Sequence, residues 1–347
     1  MRAIAYDSRP PRTETTPVML VLRILLGLLL LAAIMVVLHR LGAGTVPSPP
    51  SPEETMTESL SRADRANAWL QEHLPHHALS GLMHRLTRIT WRPFKNTLIR
   101  GFSRLYDIDL TEAASADPDA YPNFNAFFTR ALRDGARPLA PGETVIASPV
   151  DGLIGQIGAI QGTSLIQAKG RSFSLLELLG GDAALTETFA GGNYAVIYLS
   201  PRDYHRIHMP LAGALLRTGY IPGRLFSVNE ATVRAVPNLY ARNERLITVF
   251  DTGAGPMAVI LVGAIFVGSM QTVWSGVVTP PYRQVPEWHR FGEDSVRLAR
   301  GAELGRFNMG STVILLLPAG RTAWDADAQA GAFMRMGQAL GRVTRIE

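Results

Sequence analysis

Residues 144–160 read Thr-Val-Ile-Ala-Ser-Pro-Val-Asp-Gly-Leu-Ile-Gly-Gln-Ile-Gly-Ala-Ile, two apolar runs parted by Ser148-Pro149-Val150-Asp151-Gly152. Short runs of this kind, punctuated by Gly and Pro, are the signature of strands joined by turns. The pattern recurs at 194–200, 246–251, 257–265 and 313–317. No helix-length segments alternate with these runs, which argues against a doubly wound parallel sheet. The expected fold is α+β, with a mostly antiparallel β domain as its principal part.

Upstream the periodicity changes. Phe124, Phe127, Phe128, Ala131 and Leu132 fall at helical spacing within 121–133, so a buried helix is expected there, its aromatic stripe serving as core. Residues 60–106 read as helix broken near Pro75 and Pro93. Leu79, Leu82, Met83, Leu86, Trp91, Leu98 and Phe102 alternate there with Arg85, Arg88, Arg92, Lys95, Arg100 and Arg104. A basic amphipathic helix rich in Trp and Leu lies well in a lipid interface, although the same pattern fits a solvated helix face. Residues 42–59, with Pro47, Pro49, Pro50 and Pro52, form a stiff linker. Residues 18–38 are apolar apart from Arg23, long enough as a helix to cross about 30 Å of hydrocarbon. The run reads as a transmembrane anchor, with a cleaved signal peptide as the competing reading. From 319 onward the chain is polar and rich in Ala and Gly, and its structure is left open.

The chain has 347 residues, 34 Lys+Arg against 29 Asp+Glu and a net charge of +5. Its pI of 9.7 favours anionic partners. The basic residues lie beside an apolar span and not on a nucleic-acid module, so a membrane surface is expected and nucleic acid is not. Cysteine is absent, which excludes disulfides, thiolate metal sites and a cysteine nucleophile.

Three segments carry candidate chemistry. Asp151-Gly152 sits between two expected strands, where Asp-Gly is common for conformational reasons alone. His205 and His208 lie in Ser200-Pro201-Arg202-Asp203-Tyr204-His205-Arg206-Ile207-His208-Met209-Pro210. With cations beside them and no third ligand nearby, a metal site is not expected. An acid–base role and a structural role both remain open. Gly310-Ser311-Thr312 precedes the last apolar run. A small residue before Ser leaves its carbonyl open to a hydroxyl. Asp151, His208 and Ser311 together offer an acid, a base and a nucleophile, as in a membrane serine esterase or peptidase. No Gly-x-Ser-x-Gly elbow supports that alternative.

From about 121 to 317 the chain resembles the bacterial membrane-bound phosphatidylserine decarboxylase proenzymes. The resemblance rests on Phe124-Asn125-Ala126-Phe127-Phe128-Thr129-Arg130, Pro149-Val150-Asp151-Gly152 and the run from Ser200 to Pro210. It continues in Gly223-Arg224-Leu225-Phe226-Ser227-Val228-Asn229, Pro237-Asn238-Leu239-Tyr240-Ala241-Arg242-Asn243-Glu244-Arg245, Val262-Gly263-Ala264, and Gly305-Arg306-Phe307 with Gly310-Ser311-Thr312. It implies that Ser311 attacks the Gly310 carbonyl, that the chain is cut there, and that Ser311 becomes a pyruvoyl cofactor. Asp151 and His208 match the family's relay for that cut. A Schiff base between the pyruvoyl group and the serine amine of phosphatidylserine would then support loss of carbon dioxide. His205, three residues before His208, is a candidate for orienting substrate or supplying a proton, and the arginines around it are candidates to meet the lipid phosphate.

Residues 1–59 match no motif of that family and are read as an added anchor and linker; beyond them a helical membrane-associating region is expected at 60–134, a catalytic domain at 135–310, and an α chain at 311–347 that stays with the β chain. The family acts at the bacterial inner membrane, on its cytoplasmic side. A homo-oligomer is left open.

Overall fold

The computed structural model describes residues 61–168, 171–266, 269–292 and 296–344. The apolar run at 18–38 and the linker at 42–59 lie outside the described residues. Helix α1 (Arg62–His73) begins where the Ser61 hydroxyl oxygen accepts the Asp64 amide proton. Pro75 interrupts the helical pattern and leads into α2 (His76–Leu86). The second break falls upstream of Pro93. The chain leaves the helix at Thr87 and re-enters in α3 (Arg92–Tyr106), with Pro93 in the first turn, where a missing N–H costs no helical hydrogen bond. The helix expected over 121–133 is only α4 (Phe124–Phe128), started by Asn123, whose side-chain oxygen accepts from the Ala126 amide. It buries Phe124, Phe127 and Phe128, so the aromatic stripe is core.

Antiparallel pairing dominates beyond residue 144. The large sheet runs in the order Glu287–Arg290, Gly213–Ile221, Arg245–Thr252, Gly255–Val262, Ser311–Leu317, Asn193–Leu199, Gly152–Ala159, Phe333–Met334. Its central strands are apolar at successive positions because both faces are covered: Val259, Ile260 and Leu261 are fully buried, as are Val313 to Leu317. Thr312 stands opposite Tyr198 on one side and Val262 on the other. A smaller sheet sets Arg206–His208 beside Glu303–Phe307, which pairs in turn with Met270–Thr272.

The stretch after 319 is ordered into Thr322–Trp324, Phe333–Met334 and Ala339–Val343. Ala339–Val343 pairs with Val145–Ala147, and Phe333–Met334 with the start of Gly152–Ala159. The last part of the chain is therefore woven into strands formed much earlier.

Helix α3 docks through buried Phe94, Ile99 and Phe102, the last packed against Phe124, whereas α1 docks through polar contacts. Asn67 donates to the Thr232 hydroxyl, Gln71 accepts from the Ser227 amide, and Arg242 pairs with Glu72. Lys95, expected on a basic face, is instead buried and donates to the Asn96 side-chain oxygen and the Asp119 carbonyl. Trp69 and Trp91 are exposed, as are Leu82 and Leu105. Among the described residues no helix is long and apolar enough to cross a membrane.

Candidate active site

Three neighbouring strands bring the candidate residues together. Leu153 stands opposite Tyr198, and Tyr198 opposite Thr312. Asp151-Gly152, Leu199-Ser200 and Gly310-Ser311 therefore meet at one end of the sheet, with Ser311 directly opposite Leu199. Backbone bonds then tie in the histidine segment: the His208 amide donates to the Pro149 carbonyl at 2.8 Å, and Ala147 to Pro210 at 3.0 Å. Gly152 owes its place to close packing, not to turn geometry. A Cβ there would come within 2.5 Å of the Tyr198 carbonyl oxygen.

Asp151 is buried and held by Arg137. Arg137 Nε donates to Oδ1 at 2.9 Å and Nη2 to Oδ2 at 2.6 Å, while the Met336 amide donates to Oδ1 at 2.7 Å. Arg137 Nη1 also reaches Glu112 at 2.9 Å. Burial works against the Arg137 charge, but hydrogen bonding to Asp151 and Glu112 outweighs it and holds the guanidinium above its ordinary pKa.

His208 is oriented by other groups. Its Nδ1 lies 2.7 Å from the Gly301 carbonyl, which can only accept, so Nδ1 carries the proton. Nε2 then accepts from the Tyr204 hydroxyl at 2.9 Å. Among the described residues no hydrogen bond joins Asp151 to His208. The orienting contact expected of Asp151 comes from Gly301, and Asp151 acts on the imidazole through its field. Burial pushes the His208 pKa below its ordinary value, partly offset by the Gly301 hydrogen bond and the charges of Glu303 and Asp151. The same burial, joined by the field of nearby Glu303, raises the Tyr204 phenol to about 12.

His205 is fully buried, its ring centroid 4.1 Å from that of Phe128. Its Nδ1 donates to the Asp203 carbonyl at 2.8 Å, and burial drives its pKa down to about 3. The ring is neutral, so it presents a lone pair at Nε2 and no ready proton. Among the described residues nothing donates to that nitrogen. Orienting a substrate donor is the chemistry this arrangement supports. The two histidines, three residues apart, serve different places, and no group of metal ligands occurs among the described residues.

The backbone before Ser311 is constrained. Asn308 is pinned to Ser269 and Asn125, and the Phe307 amide donates to the His205 carbonyl. Met309 then adopts φ 111°, a left-handed value that strains a residue with a side chain, by about 1–3 kcal/mol. At Gly310 a Cβ would meet nothing within 4 Å, so the space beside the Gly310-Ser311 bond is open.

Arg137, Tyr204, Gly301 and strained Met309 were not singled out by sequence reasoning. Tyr204 lies in the same segment as His208, but a tyrosine four residues before a histidine carries no signal until the path of the chain brings the two side chains together. Arg137 stands 14 residues before Asp151 and Gly301 stands 93 after His208, separations that no helix or strand period links.

An acid, a neutral imidazole and an open Gly-Ser bond beside a strained residue fit a chain that performs chemistry on its own backbone. Comparison with known proteins agrees. A family model described as phosphatidylserine decarboxylase matches residues 124–342, and one described as PSD matches 66–107. The chain is 55% identical over 275 residues to the phosphatidylserine decarboxylase proenzyme of Methylococcus capsulatus, covering 79% of this chain and 95% of that one. It is 54% identical over 280 residues to the proenzyme of Azotobacter vinelandii, covering 79% and 96%. For that of Nitrosococcus oceani the identity is 52% over 286 residues, covering 80% and 93%. The chain belongs to the phosphatidylserine decarboxylase family.

Proposed function

We propose that this chain decarboxylates phosphatidylserine to phosphatidylethanolamine after cutting itself between Gly310 and Ser311. The observation that carries the reading is the meeting of Asp151-Gly152, the His208 segment and Gly310-Ser311 at one sheet end, in a chain of this family. His208, neutral and unprotonated at Nε2, takes the Ser311 hydroxyl proton once the Tyr204 hydroxyl yields its place. The serine oxygen adds to the Gly310 carbonyl, and the amide becomes an ester. Elimination across Cα–Cβ of residue 311 breaks the ester C–O bond and releases Gly310 as a carboxylate. Hydrolysis of the resulting enamine with loss of ammonia leaves a pyruvoyl group on residue 311.

The site suits that group. The Thr312 hydroxyl oxygen and His205 Nε2 are buried polar atoms without hydrogen-bond partners among the described residues. A pyruvoyl carbonyl on residue 311 would supply an electron sink for the loss of carbon dioxide. His205 would accept from a substrate N–H, and the apolar surroundings of Phe127 and Phe128 limit water. After the cut, the segment 311–317 would remain between the strands Asn193–Leu199 and Gly255–Val262, which supports continued association of residues 1–310 with 311–347.

We read 1–59 as anchor and linker, 60–134 as a membrane-docking region, 135–310 as the catalytic domain, and the location as the cytoplasmic face of a bacterial inner membrane. Exposed Trp69, Trp91, Leu82 and Leu105 among the arginines of α1 to α3 support the docking surface.

An intact mass spectrum of the purified protein tests the reading. A fragment of residues 311–347 one ammonia lighter than its serine form is expected, and Ser311→Ala should leave a single uncut chain. Cutting at the same bond in that variant would remove Ser311 as the nucleophile.

A further inference from the structure

One buried cation near the candidate site has no assigned task. Arg130 follows α4 and is only 5% exposed. Its Nη2 donates to the Arg202 carbonyl at 3.1 Å, and its guanidinium lies 5.6 Å from the centre of the Phe127 ring. Nε and Nη1 are covered and have no acceptor among the described residues. Burial without a paired carboxylate pulls the pKa of the group down, and Tyr121, Asp151 and Asp203 offset this only through their fields. A buried guanidinium with two unused donors is costly to keep unless something else uses them.

The neighbouring arginines are already committed. Arg206 and Arg306 share Glu303, with Arg206 Nη1 at 2.9 Å from Oε2 and Arg306 Nε at 2.9 Å from Oε1. Arg137 is spent on Asp151 and Glu112, and Arg202 is largely exposed. Among the described residues, Arg130 is the one cation beside the candidate site with buried, unused donors. It is also close to His205. Phe127 and Phe128, adjacent on α4, carry the two groups, one ring near the Arg130 guanidinium and the other against the His205 imidazole. Together they offer forked N–H donors on a cation and, at His205 Nε2, a buried lone pair.

We propose that Arg130 binds the phosphodiester of the phospholipid head group while His205 Nε2 accepts from its amine. This rests on the decarboxylase reading of the site. A guanidinium fork matches a phosphodiester, whose two free oxygens can be taken together. The carboxylate of the same head group is the poorer occupant. A cation held on the departing carboxylate would stabilise the ground state and oppose its loss. A phosphate contact persists in the product, so substrate and product should both depend on Arg130.

The experiment uses the full chain in detergent, as wild type, Arg130→Gln and Arg130→Lys. Mass spectra first record the cut at 310–311. Steady-state kinetics on phosphatidylserine micelles, inhibition by phosphatidylethanolamine and equilibrium binding of phosphatidylethanolamine then follow. Arg130→Gln should be cut normally, with KM and the product inhibition constant rising together by about tenfold or more and kcat within threefold. Arg130→Lys should fall between it and wild type. A raised KM with unchanged product inhibition would put the guanidinium on the carboxylate and overturn the proposal. So would unchanged values of both, or failure of both variants to be cut, which would make Arg130 a folding residue. A wild type that binds phosphatidylethanolamine through Arg130 but never releases carbon dioxide would refute the decarboxylase reading and leave the anion site standing.

Discussion

Arg137 grips Asp151 with two prongs, Nη2 at 2.6 Å from Oδ2 and Nε at 2.9 Å from Oδ1. The carboxylate expected to pair with His208 is thus committed to a cation and to the Met336 amide. It influences the imidazole through space.

Arg137→Gln leaves the Asp151 charge buried without its counter-ion, a change of about 3–5 kcal/mol for a buried pair. The precursor should melt markedly lower and be cut slowly. Asp151→Asn should also slow the cut, because the imidazolium formed by proton transfer loses its nearby anion. Thermal melts and the half-time of chain cutting on gels check both. Wild-type cutting rates in both variants would free this pair from any part in processing.

Tyr204 donates to the lone pair of His208 and so favours the neutral ring. Neutral His208 is the form that takes a proton. Since burial lowers its pKa, self-cutting should hold its rate as pH falls through 6.5 and decline only below. In Tyr204→Phe the ring should regain basicity, moving that decline to higher pH while the cut survives. A pH–rate profile of purified precursor reads the shift, and coincident profiles would assign Tyr204 no hold on the base.

Met309 stores strain one residue before the Gly310-Ser311 bond. Met309→Gly relieves it in the uncut chain and should slow cutting several-fold, up to about the 1–3 kcal/mol such a conformation holds. Gly310→Ala should be cut within about tenfold of wild type, because a Cβ there meets open space. Faster cutting by the Met309 variant would show that the strain does not drive the reaction.

Glu244 is a titratable group outside the site. It is buried, accepts from the Tyr220 hydroxyl at 3.1 Å, lies 3.8 Å from His77 Nε2, and is raised by burial to about 7. A carboxyl raised from 4.5 to about 7 adds stability that is complete below 4.5 and lost as pH climbs to 7, about 3 kcal/mol in all. His76, lowered to about 4, acts with the opposite sign between 4 and 6.5, so the wild-type profile is partly cancelled. The difference between Glu244→Gln and wild type isolates the carboxyl: the variant should gain stability relative to wild type from pH 4.5 to 8. Denaturant unfolding at the two pH values measures it, and a constant difference would mean Glu244 does not titrate there.

Local pattern carried much of this protein. The apolar runs at 153–160, 194–200, 257–265 and 313–317 became strands within three residues of their expected bounds, and in the central strands, where Val259 to Leu261 and Val313 to Leu317 are buried on both faces, successive positions are apolar. The motifs around Asp151, His208 and Ser311 carry the family resemblance by themselves. Tertiary structure decided what each side chain touches. Helix α4 stops at Phe128 although its apolar spacing runs on, and Lys95 turns inward although it sits in a basic pattern. Asp151 meets Arg137 and Met336, and His208 meets Gly301 and Tyr204, through contacts up to 185 residues apart along the chain. The polar, Ala- and Gly-rich tail had no periodic signal, since its strands pair with segments near 145 and 152 and draw their order from those partners. Periodicity records which side of an element is buried; partner identity depends on strand order and register, which only long-range pairing fixes.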